Sequence, residues 1–213
     1  MERPLLVLGT HHFAPEVFDL ASDLPDVRVD GFVENLDRSR AGTPIEGLPV
    51  HWIDDIAPFA ATHDAICALG TTKRCQIVEE ASAHGLGFAT LVHPTARVSS
   101  RSTLGVGTIV SSGAVIATRT TIGRHVIVNR GALIGHDVVV GDYVTIGPGA
   151  NVAGLCRIGD GAYVAMSAVI LDRLTVGAGA VVSAASVVTR DVPPNTQVIG
   201  TPARVVKEGV DGR

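Results

Sequence analysis

Aromatic residues are scarce in this chain: Phe, Tyr and Trp make up 4% of its 213 residues, with a single Trp. A core built on rings is excluded, so the 46% of hydrophobic residues must pack as a largely aliphatic interior. Cysteine is rarer still. Cys67, Cys75 and Cys156 are scattered and odd in number, which argues against a disulfide framework. They read as free or buried thiols of a reducing compartment, and the expected location is the cytosol. Positive charge is not in excess. The formal charge is −4 with no long basic run, so nucleic acid is not an expected partner. No apolar run approaches the roughly 18 residues that cross a bilayer. The apolar stretch within Met1–Gly9 is too short for a signal peptide.

Glycine, by contrast, is plentiful. The 24 glycines are spread along the chain, as many tight turns between short strands require. They do not serve one pattern, because the chain changes its rule near residue 90. In residues 1–90, strand-like and helix-like segments alternate. Leu5–Leu8 is a short apolar run ending at Gly9, followed by helical spacing from Pro15 to Leu24. Val27–Val33 reads as a second strand and Ala65–Leu69 as a third. Lys73–His84 reads as a helix stopped by Gly85. Strands alternating with helices imply a parallel sheet, here a small, truncated Rossmann-like α/β unit.

In residues 91–213 a period of six takes over. Every sixth residue from Val92 to Val188 is Val, Ile or Leu, seventeen in succession without an insertion. Glycine often follows directly, as at Gly105, Gly123, Gly135, Gly141, Gly147, Gly159 and Gly177. Each hexapeptide reads as one short strand plus a turn, with its first residue pointing inward. Three hexapeptides close one triangular coil, and stacked coils bury the aliphatic ladder against their neighbours. The expected fold class is mainly β, a parallel β-helix preceded by the α/β unit. A repeat reports architecture and not chemistry, so a non-catalytic solenoid stays open at this level.

Chemistry is suggested by one histidine. His136 stands third in Ile134-Gly135-His136-Asp137-Val138-Val139, and one coil of 18 residues later comes Gly154. The stacked position therefore has no side chain, which predicts open space beside the imidazole and a backbone N–H within reach. Asp137 would orient the ring or raise its basicity. Asn129, one hexapeptide earlier, would position an acceptor. A histidine near neutral pKa can take the proton of an amine or hydroxyl attacking a thioester, and a glycine N–H can meet the resulting oxyanion. No Ser or Cys with a partnered base is evident, which favours direct attack over an acyl-enzyme. His11 and His12 are adjacent on a turn without supporting carboxylate or cysteine spacing, so no metal is expected there.

The stretch Asn129–Gly154 resembles the hexapeptide-repeat sugar acyltransferases of the sialic-acid O-acetyltransferase and bacillosamine N-acetyltransferase group. Leu91-Val92-His93-Pro94-Thr95-Ala96 is similar to that family's entry into the β-helix, and Gly200-Thr201-Pro202-Ala203-Arg204 to its C-terminal signature. The N-terminal order also fits: a β-α start, then Gly31-Phe32-Val33-Glu34-Asn35, then Leu69-Gly70-Thr71-Thr72-Lys73-Arg74. The resemblance implies a left-handed β-helix, acetyl-CoA as co-substrate, a homotrimer with sites between subunits, His136 as general base and Asp137 as its tuning acid. It places acetyl-CoA contacts on Gly154, Met166 and Ala184. Thr145 stands where the family can carry a second, CoA-contacting histidine. The family's G-x-G-G-H-A turn is here Gly9-Thr10-His11-His12-Phe13-Ala14, keeping only the first glycine and the alanine, and the acidic pair after the second strand is Glu34-Asn35. His11, His12, Phe13, Glu34, Asn35 and Gly70 are thus the expected substrate-binding set for a sugar, preferably a nucleotide-linked amino sugar undergoing N-acetylation. O-acetylation remains the alternative. A zinc-dependent carbonic anhydrase on the same repeat needs histidines on adjacent coils, whereas His125 and His136 are 11 residues apart and not 18.

Overall fold

The computed structural model describes residues 4–213. Its first half is a five-stranded parallel sheet of β1 (Leu5–Leu8), β2 (Val29–Glu34), β3 (Val50–Trp52), β4 (Asp64–Cys67) and β5 (Gly87–Phe88), in the order β3-β2-β1-β4-β5. Helix α1 (Phe13–Ser22) follows β1 and α2 (Cys75–Ala83) follows β4. Side chains alternate across β1. Leu5 and Val7 pack with Val17 and Leu20 of α1, whereas Leu6 and Leu8 pack with Ile77 and Val78 of α2. The strand order reverses at β1, so the crevice beyond the carboxyl ends of β1 and β4 is the natural ligand position of an open α/β sheet.

Most of the expected element bounds shift by one or two residues. Helix α1 begins two residues before Pro15, because a proline in the first turn removes an N–H that needs no partner. Residues 72–74 form a 3-10 turn, and only from Cys75 does the second helix become α. Strand β2 runs on to Glu34, and β4 stops at Cys67. β3 and β5 went unread, since three and two residues respectively carry too little pattern to detect.

The second half is a left-handed parallel β-helix. It has seventeen two-residue strands, β6 (Leu91–Val92) to β22 (Val187–Val188), each pairing with the strand one winding away. The register is 18 residues throughout, as in Val115 on Leu133 and Leu133 on Asn151. The strands make three flat faces of a triangular prism. A hairpin of β23 (Thr196–Gly200) and β24 (Ala203–Glu208) extends one face at the end of the coil. From Val110 to Val188 every sixth residue is buried, and only Val92, Val98 and Leu104 of the first winding are half-buried. Each such side chain contributes roughly 1.5–3 kcal/mol by leaving water. The glycine after it is a packing requirement. A Cβ on Gly123 would lie 2.6 Å from the backbone of Gly141, and one on Gly147 would lie 2.7 Å from the Met166 nitrogen. Each hexapeptide then turns through one residue of positive φ, in unbroken series from Gly107 to Ala185, including Arg119, His125 and Asp137.

Outward-facing strand positions reveal how the halves meet. On the face that carries β6, β9, β12 and β15, the outward residues Leu91, Ile109, Ile127 and Thr145 are buried; Leu91 and Ile109 belong to the same apolar cluster as Leu5 and Phe32. The α/β half therefore lies flat on this face. On the other two faces outward residues such as Arg97, Thr121 and Arg157 stay exposed.

Candidate active site

His136 sits on the prism edge opposite the covered face, in the turn between β13 (Leu133–Ile134) and β14 (Val139–Val140). Its Nδ1 lies 2.6 Å from Oδ2 of Asp137, and its side chain is 55% exposed. Asp137 also accepts two bonds from Arg119, one winding below: Nε to Oδ1 at 2.6 Å and Nη2 to Oδ2 at 2.7 Å. Arg119 first, and then His136, hold the Asp137 carboxyl well below the usual carboxylate range. An ionised Asp137 can only accept, so the shared proton resides on Nδ1, which leaves the lone pair of the neutral ring on Nε2.

Gly154 does not leave a vacant cleft beside the ring, as its spacing suggested. The imidazole itself fills that space: a Cβ on Gly154 would lie 2.7 Å from Nε2 and 2.9 Å from Cε1. The glycine is needed so that the ring can pack against the next winding. The Gly154 N–H donates to no group among the described residues.

The remaining predicted residues of the β-helix lie elsewhere. By the 18-residue register, 118, 136, 154 and 172 stack on one edge, and 112, 130, 148, 166 and 184 on another. Met166 and Ala184 are exposed on that other edge, and Asn129, half-buried, stands beside it with its Oδ1 on the Arg130 N–H. The chain thus brings Gly154 to His136, but not Met166, Ala184 or Asn129. Arg130 pairs with Glu16 of α1 at 2.6 Å, and both line a cavity of about 170 Å³ with Phe13, Ser111, Ser112 and His93.

In the α/β crevice, His11 and His12 are exposed ahead of α1, with no side-chain bond capping the helix. Gly70 is exposed after β4. Glu34 departs from its expected role. It is 3% exposed, and Oε1 accepts the N–H groups of Asn35, Leu36 and Asp37, while Oε2 takes the Thr10 hydroxyl. Burial alone would raise its carboxyl, but these donors outweigh it and hold the group below its usual range. Glu34 therefore builds the turn and is not presented to a ligand. Asn35 is tied to α2, its Nδ2 donating to Glu80 at 2.9 Å. Among the described residues no group of three His, Cys, Asp or Glu side chains could hold a metal ion.

The bacterial transferase hexapeptide model matches residues 119–154, the span that contains Arg119, His136, Asp137 and Gly154. A search of the curated proteins finds no match. Among solved structures, the acetyltransferase domain of PglB from Neisseria gonorrhoeae, in complex with acetyl coenzyme A, is 30% identical over 97% of this chain and 100% of that one, with a TM-score of 0.88. The chain belongs to the hexapeptide-repeat sugar acyltransferases. Perosamine N-acetyltransferase from Caulobacter crescentus, solved with CoA and GDP-perosamine as a histidine-to-asparagine variant, is 28% identical over 96% of this chain and 97% of that one (TM-score 0.88). WeeI from Acinetobacter baumannii is 27% identical over 95% and 99% (TM-score 0.84).

Within this acyltransferase, two arginines escaped the sequence reading. Arg119 carries no local signal; only the 18-residue register sets it under Asp137. Arg74 is 1% exposed and has no carboxylate partner among the described residues. It donates to the carbonyls of Thr71, His125 and Val144 and to the Thr145 hydroxyl, joining the α/β half to the β-helix. Burial pushes its guanidinium down to about 10, so it stays charged at neutral pH. Thr145 is accordingly an interior contact of this joint.

Proposed function

We propose that this acyltransferase moves an acetyl group from acetyl-CoA to the amine of a nucleotide-linked amino sugar, with His136 as general base. The observation that carries the reading is the His136–Asp137 pair packed against Gly154, with Nε2 the ring atom nearest the glycine. In the reaction the sugar nitrogen attacks the thioester carbonyl, Nε2 takes the proton the nitrogen sheds, and the C–S bond breaks to release CoA. Asp137 accepts from Nδ1 and steadies the imidazolium. The unpaired Gly154 N–H supplies a donor for the oxyanion. GDP-perosamine and CoA in the Caulobacter relative support a nucleotide sugar as acceptor and N-acetylation as the chemistry.

The reading includes a homotrimer. His136 projects on the edge farthest from the face its own α/β half covers, so an acceptor held by that half is out of its reach. Another copy would bring its His136 to the edge of Met166, Ala184, Asn129 and Arg130. Exposed Leu133, Val139, Leu155 and Leu171 around the His136 edge suit such packing. Three free cysteines suit a cytosolic setting.

The test has two arms. Acetyl-CoA at millimolar concentration should raise the melting temperature; no shift would favour a solenoid without catalysis. With acetyl-CoA and GDP-perosamine or related nucleotide amino sugars, His136→Ala should lower turnover by about a thousandfold while leaving assembly intact. Near-normal turnover would remove His136 from the base role.

A further inference from the structure

We infer that Arg119 is a positioning residue for the base: from one winding below, it clamps Asp137 so that the carboxylate stays aimed at His136 Nδ1 and the pair stays balanced in charge. The inference rests on the proposed role of His136.

The geometry is specific. Arg119 and Asp137 occupy equivalent corners of successive windings, with φ of 57° and 58°, so their side chains leave the backbone in parallel. The guanidinium meets the carboxylate through two short bonds, at 2.6 and 2.7 Å, a fork that fixes both the position and the rotation of the acceptor. Oδ2 is then shared between Arg119 and the imidazole. Freed from the fork, an aspartate on an exposed corner would sample other rotamers, and Nδ1 would lose its acceptor for part of the time.

The charge matters as much as the aim. A lone carboxylate beside His136 would favour the imidazolium, which cannot accept a proton. The positive charge of Arg119 offsets that pull. The other charged groups along this edge are Arg101, one winding below Arg119, Asp172 and Arg173, two windings above the pair and 3.4 Å from each other, and Arg190 and Asp191 beyond them. The chain also contains its own control. On the next edge Arg124 also pairs with the aspartate one winding on, Asp142, both guanidinium nitrogens meeting Oδ2 at 2.7 and 3.0 Å, but without a histidine hydrogen-bonded to the carboxylate.

Histidine ring NMR on the intact protein tests this without needing the sugar, the His136 signal being assigned from its absence in His136→Ala. The parent should show the Nδ1-protonated tautomer. In Arg119→Gln the ring should become a mixture of tautomers. Arg119→Lys should restore only part of the tautomer preference. Arg124→Gln should leave the His136 signal unchanged. In turnover, Arg119→Gln should lower kcat about tenfold with KM for acetyl-CoA little altered. An Arg119→Gln spectrum that superimposes on the parent, or an equal response to Arg124→Gln, would overturn the inference. Near-normal turnover in His136→Ala would instead strike the base assignment, and the NMR result would still decide whether the clamp exists.

Discussion

The two halves of this chain reach stability by opposite routes. In the α/β half, strands of two to six residues are joined by connections of unequal length, and particular side chains carry particular tasks. Phe32 fills one side of the sheet, Glu34 organises a turn, and Arg74 closes the joint. In the β-helix, no single side chain matters as much as its phase, because each winding pairs only with the windings above and below it, always 18 residues apart. Specific identity sustains the first half and strict spacing the second.

The sharpest way to break this comparison is a change of length. One alanine inserted between Thr145 and Ile146 should prevent cooperative folding, because β15 would lose its pairing with β12 and β18 or turn its inward residue outward. The same insertion between Glu46 and Gly47, in an exposed turn where a Cβ on Gly47 would meet nothing within 4 Å, should cost less than about 1 kcal/mol. Soluble yield and circular dichroism melts would separate the two outcomes. A fully folded first variant would refute the claim that phase sustains the coil.

The next largest effect is expected at the joint. Arg74→Met should destabilise by about 2–4 kcal/mol, since three carbonyls and the Thr145 hydroxyl lose their donor inside a dry interface. Urea unfolding should also split into two transitions as the halves uncouple. A single transition at the parent midpoint would show that the apolar contacts of the joint suffice alone.

The smallest expected effect is set by pH at the same joint. His125 is 5% exposed, stacked on Tyr143 with Phe88 edge-on, and its Nδ1 has no partner among the described residues. Burial, then Arg74 and Arg124, push its imidazole down to about 4. The unfolded chain binds this proton first, so stability should fall as pH drops from about 6.5 to about 4, by up to about 3 kcal/mol. His125→Asn, which tolerates the left-handed backbone at this corner, should flatten that slope in urea titrations across the range. An unchanged slope would assign the acid sensitivity to other groups.

The β-helix was legible because its signal is arithmetic. The positions Val92 to Val188 name the core directly, and the 18-residue winding follows from them. The α/β half was legible in outline only. β3 and β5 are too short to show a period, and the burial of Glu34 depends on Thr10 and on the N–H groups of a turn that no local pattern announces. At the site, His136 and its stacking on Gly154 could be read from spacing, but not that the ring would occupy the glycine's own space. Arg119 could have been found by the same subtraction of 18 applied to Asp137. Arg74 could not, because its partners are backbone carbonyls brought together only by docking.

The left-handed corners have a consequence for how such a protein can change. His136 and Gly154 fall two places after a ladder residue, and Arg119 and Asp137 three places after, at turns that face away from the interior. Counted modulo six, two buried residue classes keep the prism standing, the ladder itself and the series that includes Val126, Val138 and Val144, while two others equip its edges. Reactive groups can be exchanged at the rim of one winding without repacking anything beneath it, so an old scaffold can acquire new specificities while its interior stays the same.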